Sequence, residues 1–119
     1  VIVHGASIAS PVAYRRLPLR TLEVNVLGTW SLLRSLRPPL DAFVLLSTSE
    51  VYGDPDPAHV PTPETYPGRV SCTGPRACYD ESKRVAETLA VTYHRTAGTP
   101  VRIVRPFNVY GPGLWPDDG

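Results

Sequence analysis

Three short apolar runs, Val1-Ile2-Val3-His4, Ala42-Phe43-Val44-Leu45-Leu46 and Val101-Arg102-Ile103-Val104, alternate with two segments of helical period, and that alternation leaves few folds open. The runs are continuously apolar rather than alternating, as strands of a parallel sheet covered on both faces are. Each stops abruptly at small or polar residues: Gly5-Ala6-Ser7 after the first, Ser47-Thr48-Ser49-Glu50 after the second. Between the first two runs, Leu19, Leu22, Val26, Leu33 and Leu36 recur at spacings of three, four, seven and three, which predicts an amphipathic helix over about 19–36, ending before Pro38-Pro39. Between the last two, Tyr79, Lys83, Ala86 and Ala90 share one face beside Val85, Leu89 and Tyr93, and Gly98 with Pro100 supplies the stop; a helix over about 78–97 is predicted. Strand, helix, strand, helix, strand reads as right-handed parallel βαβ units of a doubly wound α/β sheet, with ligand sites at the carboxyl ends of the strands.

Asp54 to Pro75 is rich in proline and glycine, and is expected to be a long loop lying over the site. Pro106 to Gly119 is a Pro/Gly-rich exit with no following element, and no internal repeat is visible. Three strands are few for such a sheet, and no G-x-G-x-x-G turn is present to cradle a dinucleotide pyrophosphate. Residues 1–119 are therefore either a piece of a larger nucleotide-binding domain or unable to hold a dinucleotide alone.

With 119 residues, one hydrophobic core is the ceiling. Twelve basic against 11 acidic side chains, a net charge of +1, give no field that suggests nucleic acid or an anionic membrane as partner. No apolar run approaches the roughly 20 residues a bilayer requires, and the opening residues do not resemble a secretory leader; a cytoplasmic location is expected. Cys72 and Cys78 are expected to be free thiols.

Tyr79 and Lys83 stand four apart on the second helix, hence on one face, and Lys83 is the only lysine in the chain. A cation beside a phenol favours the phenolate, so the pair suits proton removal from a hydroxyl. The Ser47-Thr48-Ser49-Glu50 cluster, one parallel strand away, brings hydroxyls and a carboxylate toward the same place, although hydroxyls also cap strand ends whatever the function. Arg76 is placed either to touch a substrate or to cap the helix. His59 and His94 show no ligand spacing, and no metal is expected. Cys78 has no histidine near it in sequence and is read as packing.

Ser47-Thr48-Ser49-Glu50-Val51-Tyr52-Gly53-Asp54, Tyr79-Asp80-Glu81-Ser82-Lys83 and Arg105-Pro106-Phe107-Asn108-Val109-Tyr110-Gly111-Pro112 occur in the order and at about the spacing of the extended short-chain dehydrogenases/reductases, the NAD-dependent epimerases and dehydratases, which the chain resembles along essentially its whole length. His4-Gly5-Ala6-Ser7 looks like that family's cofactor-facing H-x-A-[AS] segment, and Asn25-Val26-Leu27-Gly28-Thr29 fits its first helix. The resemblance implies a Rossmann-type fold of which residues 1–119 are the second half, with the first half and its phosphate loop and a carboxyl-terminal substrate domain expected outside them, and NAD as cofactor, contacted by Ala6, Ser7, Asn25, Tyr79, Lys83 and Pro106. It implies catalysis by Thr48, Ser49, Glu50, Tyr79 and Lys83, with Thr48, Ser49, Glu50 and Asn108 on a nucleotide-sugar substrate, and a homodimer formed by the two helices as a four-helix bundle. Within the family, Gly74-Pro75-Arg76-Ala77-Cys78-Tyr79-Asp80-Glu81-Ser82-Lys83-Arg84-Val85-Ala86-Glu87 looks most like the UDP-glucuronate decarboxylases, which make UDP-xylose through a 4-keto sugar. Ser49 stands where the related 4,6-dehydratases resemble one another in an aspartate, and Ser82 stands where the decarboxylases usually carry glycine. A 4-epimerase, a 4,6-dehydratase or a non-catalytic nucleotide-sugar-binding remnant are the alternatives the residues leave open.

Overall fold

The computed structural model describes residues 1–114. Three strands, β1 (Ile2–His4), β2 (Phe43–Leu46) and β3 (Val101–Val104), form one parallel sheet in the order β1-β2-β3, with Ile2 opposite Phe43 and Phe43 opposite Val101. All three apolar runs are therefore strands, in register, within one residue of their expected bounds.

Helices connect them on one face. The expected first helix runs from Pro18 to Ser35, but in three parts: α2 (Pro18–Leu22), a π-helical stretch Glu23–Gly28, and α3 (Thr29–Ser35). The backbone stays right-handed helical through the junctions, with φ near −60° at Leu22, Gly28 and Thr29, so this is one rod with a widened middle. A further short helix, α1 (Pro11–Arg16), precedes it and was not expected; proline at its first turn fits the preset φ of that position. The second expected helix is α4 (Ala77–Ala97), closed by Gly98 in the left-handed conformation (φ 67°) with its N–H on the His94 carbonyl.

The core lies between this helical layer and the sheet. Phe43 and Leu45 of β2 meet Leu33 of α3 and Ala86 and Ala90 of α4, with Ile2, Val101 and Ile103 completing it. The small Ala86 and Ala90 let the α4 backbone lie close to the strands. The sheet's other face is open, leaving Val1 75%, Val3 62% and Val104 45% exposed. Among the described residues no helix is long and apolar enough to cross a membrane.

Residues 54–75 hold one turn of 3₁₀ helix, Pro57–His59, and are otherwise irregular. The expectation that this segment lies over the site does not hold: none of its residues lines the cleft at the ends of β1 and β2, although Thr62 and Glu64 lie beside Val104 and Arg105 at the end of β3. The segment is pinned to the outer side of α4, where Arg84 donates to the carbonyls of Val51 and Pro67 (both 2.9 Å) and Arg105 to that of Glu64 (2.8 Å).

Candidate active site

The β2–β3 ladder continues past the strands, since Ser47 N–H bonds the Val104 carbonyl (2.8 Å) and Ser49 N–H the Pro106 carbonyl (2.9 Å). This brings the 106–108 segment against residues 47–50. The chain after β2 turns at once into a 3₁₀ helix, Ser49–Tyr52, whose Glu50 N–H is accepted by the Thr48 side chain (3.3 Å). Thr48 is thus held pointing along the sheet's carboxyl end, where α4 presents Tyr79 and Lys83.

An open cleft of about 330 Å³ results, lined by Ser7, Thr48, Ser49, Glu50, Tyr79 and Lys83 with Pro106 and Asn108 along one side. The structure brings together most of the residues singled out by sequence. The Tyr79 hydroxyl shares a hydrogen bond with Thr48. Lys83, 6% exposed, donates from Nζ to the Leu46 carbonyl (2.8 Å) and lies 5.8 Å from the Tyr79 ring centroid. Asn25 does not reach the cleft: it is 2% exposed and accepts from the Ser7 hydroxyl (2.8 Å) behind it. Ala6 lines a separate hollow with His4 and Gly28.

The electrostatics depart from the sequence expectation at Tyr79. Its pKa is raised, foremost by burial, with Glu50 adding to the rise and the Thr48 hydrogen bond opposing it. The Lys83 ammonium donates to the Leu46 carbonyl, and burial outweighs its charge beside the phenol. Burial also pulls Lys83 down to about 8. Asp80, on the same turn of α4, is pushed up to about 6 by burial, which Arg76 only partly offsets.

Arg76 resolves toward the cleft. It pairs with Glu50 (2.6 Å) and approaches Asp80 (3.8 Å), and it makes no side-chain cap to α4. Sequence reasoning missed Tyr14 altogether. This α1 residue is 1% exposed, stacks on Tyr79 at 4.9 Å between ring centroids with planes 9° apart, and lines the cleft. The Ser10-Pro11 helix start was the signal that could have placed a helix, and hence Tyr14, before the longer rod. Among the described residues, Tyr14 Oη and Arg76 Nε are buried without a hydrogen-bond partner.

The remaining residues sit apart. His59 is exposed, its ring 5.1 Å from that of Tyr66, and the exposed His94 ring meets the Thr99 carbonyl (2.8 Å) through Nδ1. Cys72 is exposed and Cys78 half-buried, both free, and Cys78 Sγ points at the Tyr14 carbonyl (3.6 Å). Among the described residues no His/Cys/Asp/Glu group gathers as a metal site.

The residues at the cleft fit a dinucleotide on one side. Gly5 and Ser7 line the cleft just after β1, and an added Cβ at Gly5 would stand 3.2 Å from Leu46 Cδ1, so a side chain there would crowd that wall. Lys83 has three N–H donors, one of which goes to Leu46.

A parallel sheet that delivers strand-end hydroxyls and a Tyr-x-x-x-Lys helix face to one cleft defines a nucleotide-dependent α/β protein of the dehydrogenase type. The chain belongs to the NAD dependent epimerase/dehydratase family, whose model matches residues 1–119. It is 52% identical over 118 residues to UDP-glucuronic acid decarboxylase 1 of Arabidopsis thaliana, covering 99% of this chain and 27% of that protein. The chain thus spans about a quarter of that relative's length. Among solved structures it is similar to RMD from Pseudomonas aeruginosa complexed with NADPH (TM-score 0.82, 36% identity, 95% of this chain and 37% of that one). It is also similar to the UDP-glucose 4-epimerase of Thermotoga maritima, solved with UDP-glucose (TM-score 0.82, 30% identity, 98% and 37%).

Proposed function

We propose that these residues are the catalytic half of an NAD-binding domain in a larger enzyme that decarboxylates UDP-glucuronate to UDP-xylose. The observation that carries the reading is the composition of the cleft: Thr48, Tyr79 and Lys83 beside a single acidic residue, Glu50, among the described lining residues. The 52% identity to a UDP-glucuronic acid decarboxylase favours that chemistry over others in the family. On the cofactor side Ser7, Lys83 and Pro106 would hold NAD, with Ala6 and Asn25 as supports from the flanking hollow and the layer behind.

The chemistry a bound NAD would supply is reversible hydride exchange with the sugar's C4, which would leave the cycle redox-neutral. The chain supplies the rest. Burial keeps the Tyr79 phenol protonated in the chain by itself, and the positive charge of a bound nicotinamide would favour the phenolate that takes the C4 hydroxyl proton, while Thr48, already bonded to Tyr79, holds that oxygen in line. With a ketone at C4 the uronic carboxylate is β to a carbonyl, so CO₂ leaves with the bonding electrons kept as an enolate. Glu50 manages the proton that C5 then takes up, and Ser49 hydrogen-bonds the oxygens beside it. Arg76, paired with Glu50, orients that carboxylate. A dehydratase needs a second acid to expel water, and Ser49 cannot serve as one. Asn108, which lines the cleft, would contact the nucleotide diphosphate.

The exposed Leu19, Leu27, Trp30 and Val85 on the two helices suit pairing with a second copy, and a homodimer is part of this reading. The similarity to a UDP-glucose 4-epimerase supports a second reading, C4 inversion without loss of carbon. The test is incubation of the natural protein containing this chain with UDP-glucuronate and NAD, followed by mass spectrometry of the nucleotide sugar. Loss of CO₂ that vanishes in Tyr79→Phe is expected; intact substrate, with turnover of UDP-hexoses instead, would select the epimerase.

A further inference from the structure

Behind the cleft runs a directed chain of hydrogen bonds. Ser7 Oγ donates to Asn25 Oδ1, Asn25 Nδ2 donates to Ser82 Oγ, and Ser82 Oγ donates to the Tyr79 carbonyl, each at 2.8 Å. A serine hydroxyl has one proton, so Ser82 spends it on Tyr79 and must accept from Asn25; the order cannot be reversed. Asn25 belongs to the π-helical stretch, and Ser82, 0% exposed, sits in the first half of α4.

The same asparagine is fixed from the other side. Thr29 Oγ1 gives its proton to the Asn25 carbonyl (2.6 Å), so His4 Nε2, 2.8 Å from Thr29 Oγ1, is the donor there. Burial foremost, and then the charge of Lys83, lowers the His4 pKa, in keeping with a neutral ring that carries its proton on Nε2. Asn25 thus has its carbonyl and both ends of its amide engaged, and Ser82 is the one member of this chain that ties it to α4.

We propose that Ser82 is a positioning residue: its hydroxyl couples the loop after β1, through Asn25, to the turn of α4 that carries Tyr79 and Lys83. It touches neither substrate nor cofactor. Without that hydroxyl a buried amide N–H of Asn25 lacks an acceptor, and the tyrosine turn shifts to relieve it. A displacement of a fraction of an ångström is enough to loosen the Thr48–Tyr79 hydrogen bond and slow proton removal. The inference rests on the reading of Tyr79 as the general base, though not on which nucleotide sugar is the substrate.

Two substitutions separate positioning from mere stability. Ser82→Ala fills the space with a methyl group and leaves Asn25 unpaired. Ser82→Gly removes the methylene as well and makes room for one water between Asn25 Nδ2 and the Tyr79 carbonyl. Glycine in a helix interior is the less stable of the two, so stability alone ranks Gly below Ala.

The experiment is steady-state kinetics and thermal melting of both variants in the full natural protein, using whichever nucleotide sugar the wild type turns over. Tyr79 is titrated in parallel by NMR of a ¹³Cζ-tyrosine label without substrate. The expected result is a kcat about tenfold lower for Ser82→Ala, with KM little changed. Ser82→Gly falls about threefold and stays above Ser82→Ala despite its lower Tm. The Tyr79 phenol ionises at higher pH in Ser82→Ala than in Ser82→Gly, since the Thr48 hydrogen bond that favours the phenolate is weakened. A kcat order that follows Tm, with Gly at or below Ala, overturns the proposal, as does an unchanged Tyr79 titration in all three proteins. The titration needs no turnover, so a wrong substrate assignment leaves it informative.

Discussion

Lys83 is held at a cost to the fold. Among the described residues its buried ammonium has one carbonyl partner and no carboxylate partner, and burial lowers its pKa from 10.5 to about 8. Between about pH 8 and 10.5 the unfolded chain therefore holds a proton that the native chain has released. Stability rises with pH across that window, and the penalty is complete below pH 8. Lys83→Met should then stabilise the protein at pH 7 by on the order of 1–3 kcal/mol while abolishing activity, the gain shrinking toward pH 10.5. Urea unfolding at pH 7 and pH 10 checks both the sign and the trend. Asp80 carries the opposite linkage. Its carboxyl is raised from 3.8 to about 6 with Oδ1 lacking a hydrogen-bond partner, so native stability falls as pH rises from about 4 to 6. Asp80→Asn should stabilise at pH 7 by on the order of 1–2 kcal/mol, and the difference should vanish below pH 4, as melts over that range would show.

The Tyr79–Lys83 pair and the Thr48–Glu50 tip were readable from sequence because each depends on a local rule: four-residue spacing puts two side chains on one helix face, and a strand that ends in hydroxyls presents them at its end. Tyr14 and the Arg76–Glu50 pair were not, because each arises from a contact between elements far apart in the chain. The expected lowering of the Tyr79 pKa failed for a related reason. Sequence spacing places Lys83 beside the tyrosine, but only the packed structure shows the burial that outweighs its charge.

At the scale of elements, apolar periodicity located the three strands, the Pro18–Ser35 rod and α4, since each buries a face that the pattern marks. It could not show the π-helical middle of the rod. Leu22 and Val26 keep helical spacing through the Glu23–Gly28 stretch, and the widening that sets Asn25 inside is a backbone detail. The 54–75 segment was read correctly as irregular and wrongly as a cover for the site. Its position is set by Arg84 and Arg105 bonds to its carbonyls and by the Gly53–Arg69 pairing, none of which a Pro/Gly-rich composition encodes. Gly53 is the hinge of that pairing: φ is 64° and ψ −129°, and an added Cβ would overlap the Arg69 carbonyl. Gly53→Ala should cost about 2 kcal/mol or more and free residues 54–75 from the outer side of α4. Hydrogen exchange reads this as lost protection at the Arg69 amide, which bonds the Tyr52 carbonyl (2.9 Å); unchanged protection would contradict it.

The whole molecule is a sheet dressed on one side. Helices cover the face built around Phe43 and Leu45, while Val1, Val3 and Val104 stand exposed on the other, as expected where further segments of a doubly wound domain pack. The cleft is correspondingly one-sided, with the base and the strand-end hydroxyls in place and the proposed nucleotide and sugar walls to be completed by the rest of the enzyme. The central claim is that this cleft oxidises the sugar at C4, lets CO₂ leave from C5 and restores C4 in one redox-neutral cycle. It is tested most directly by following deuterium in the full natural protein with UDP-glucuronate labelled at C4. The account predicts a UDP-pentose that keeps the C4 deuterium and, in heavy water, gains one deuterium at C5. Loss of the C4 label to solvent, or a hexuronate product that keeps its carboxylate, would contradict it.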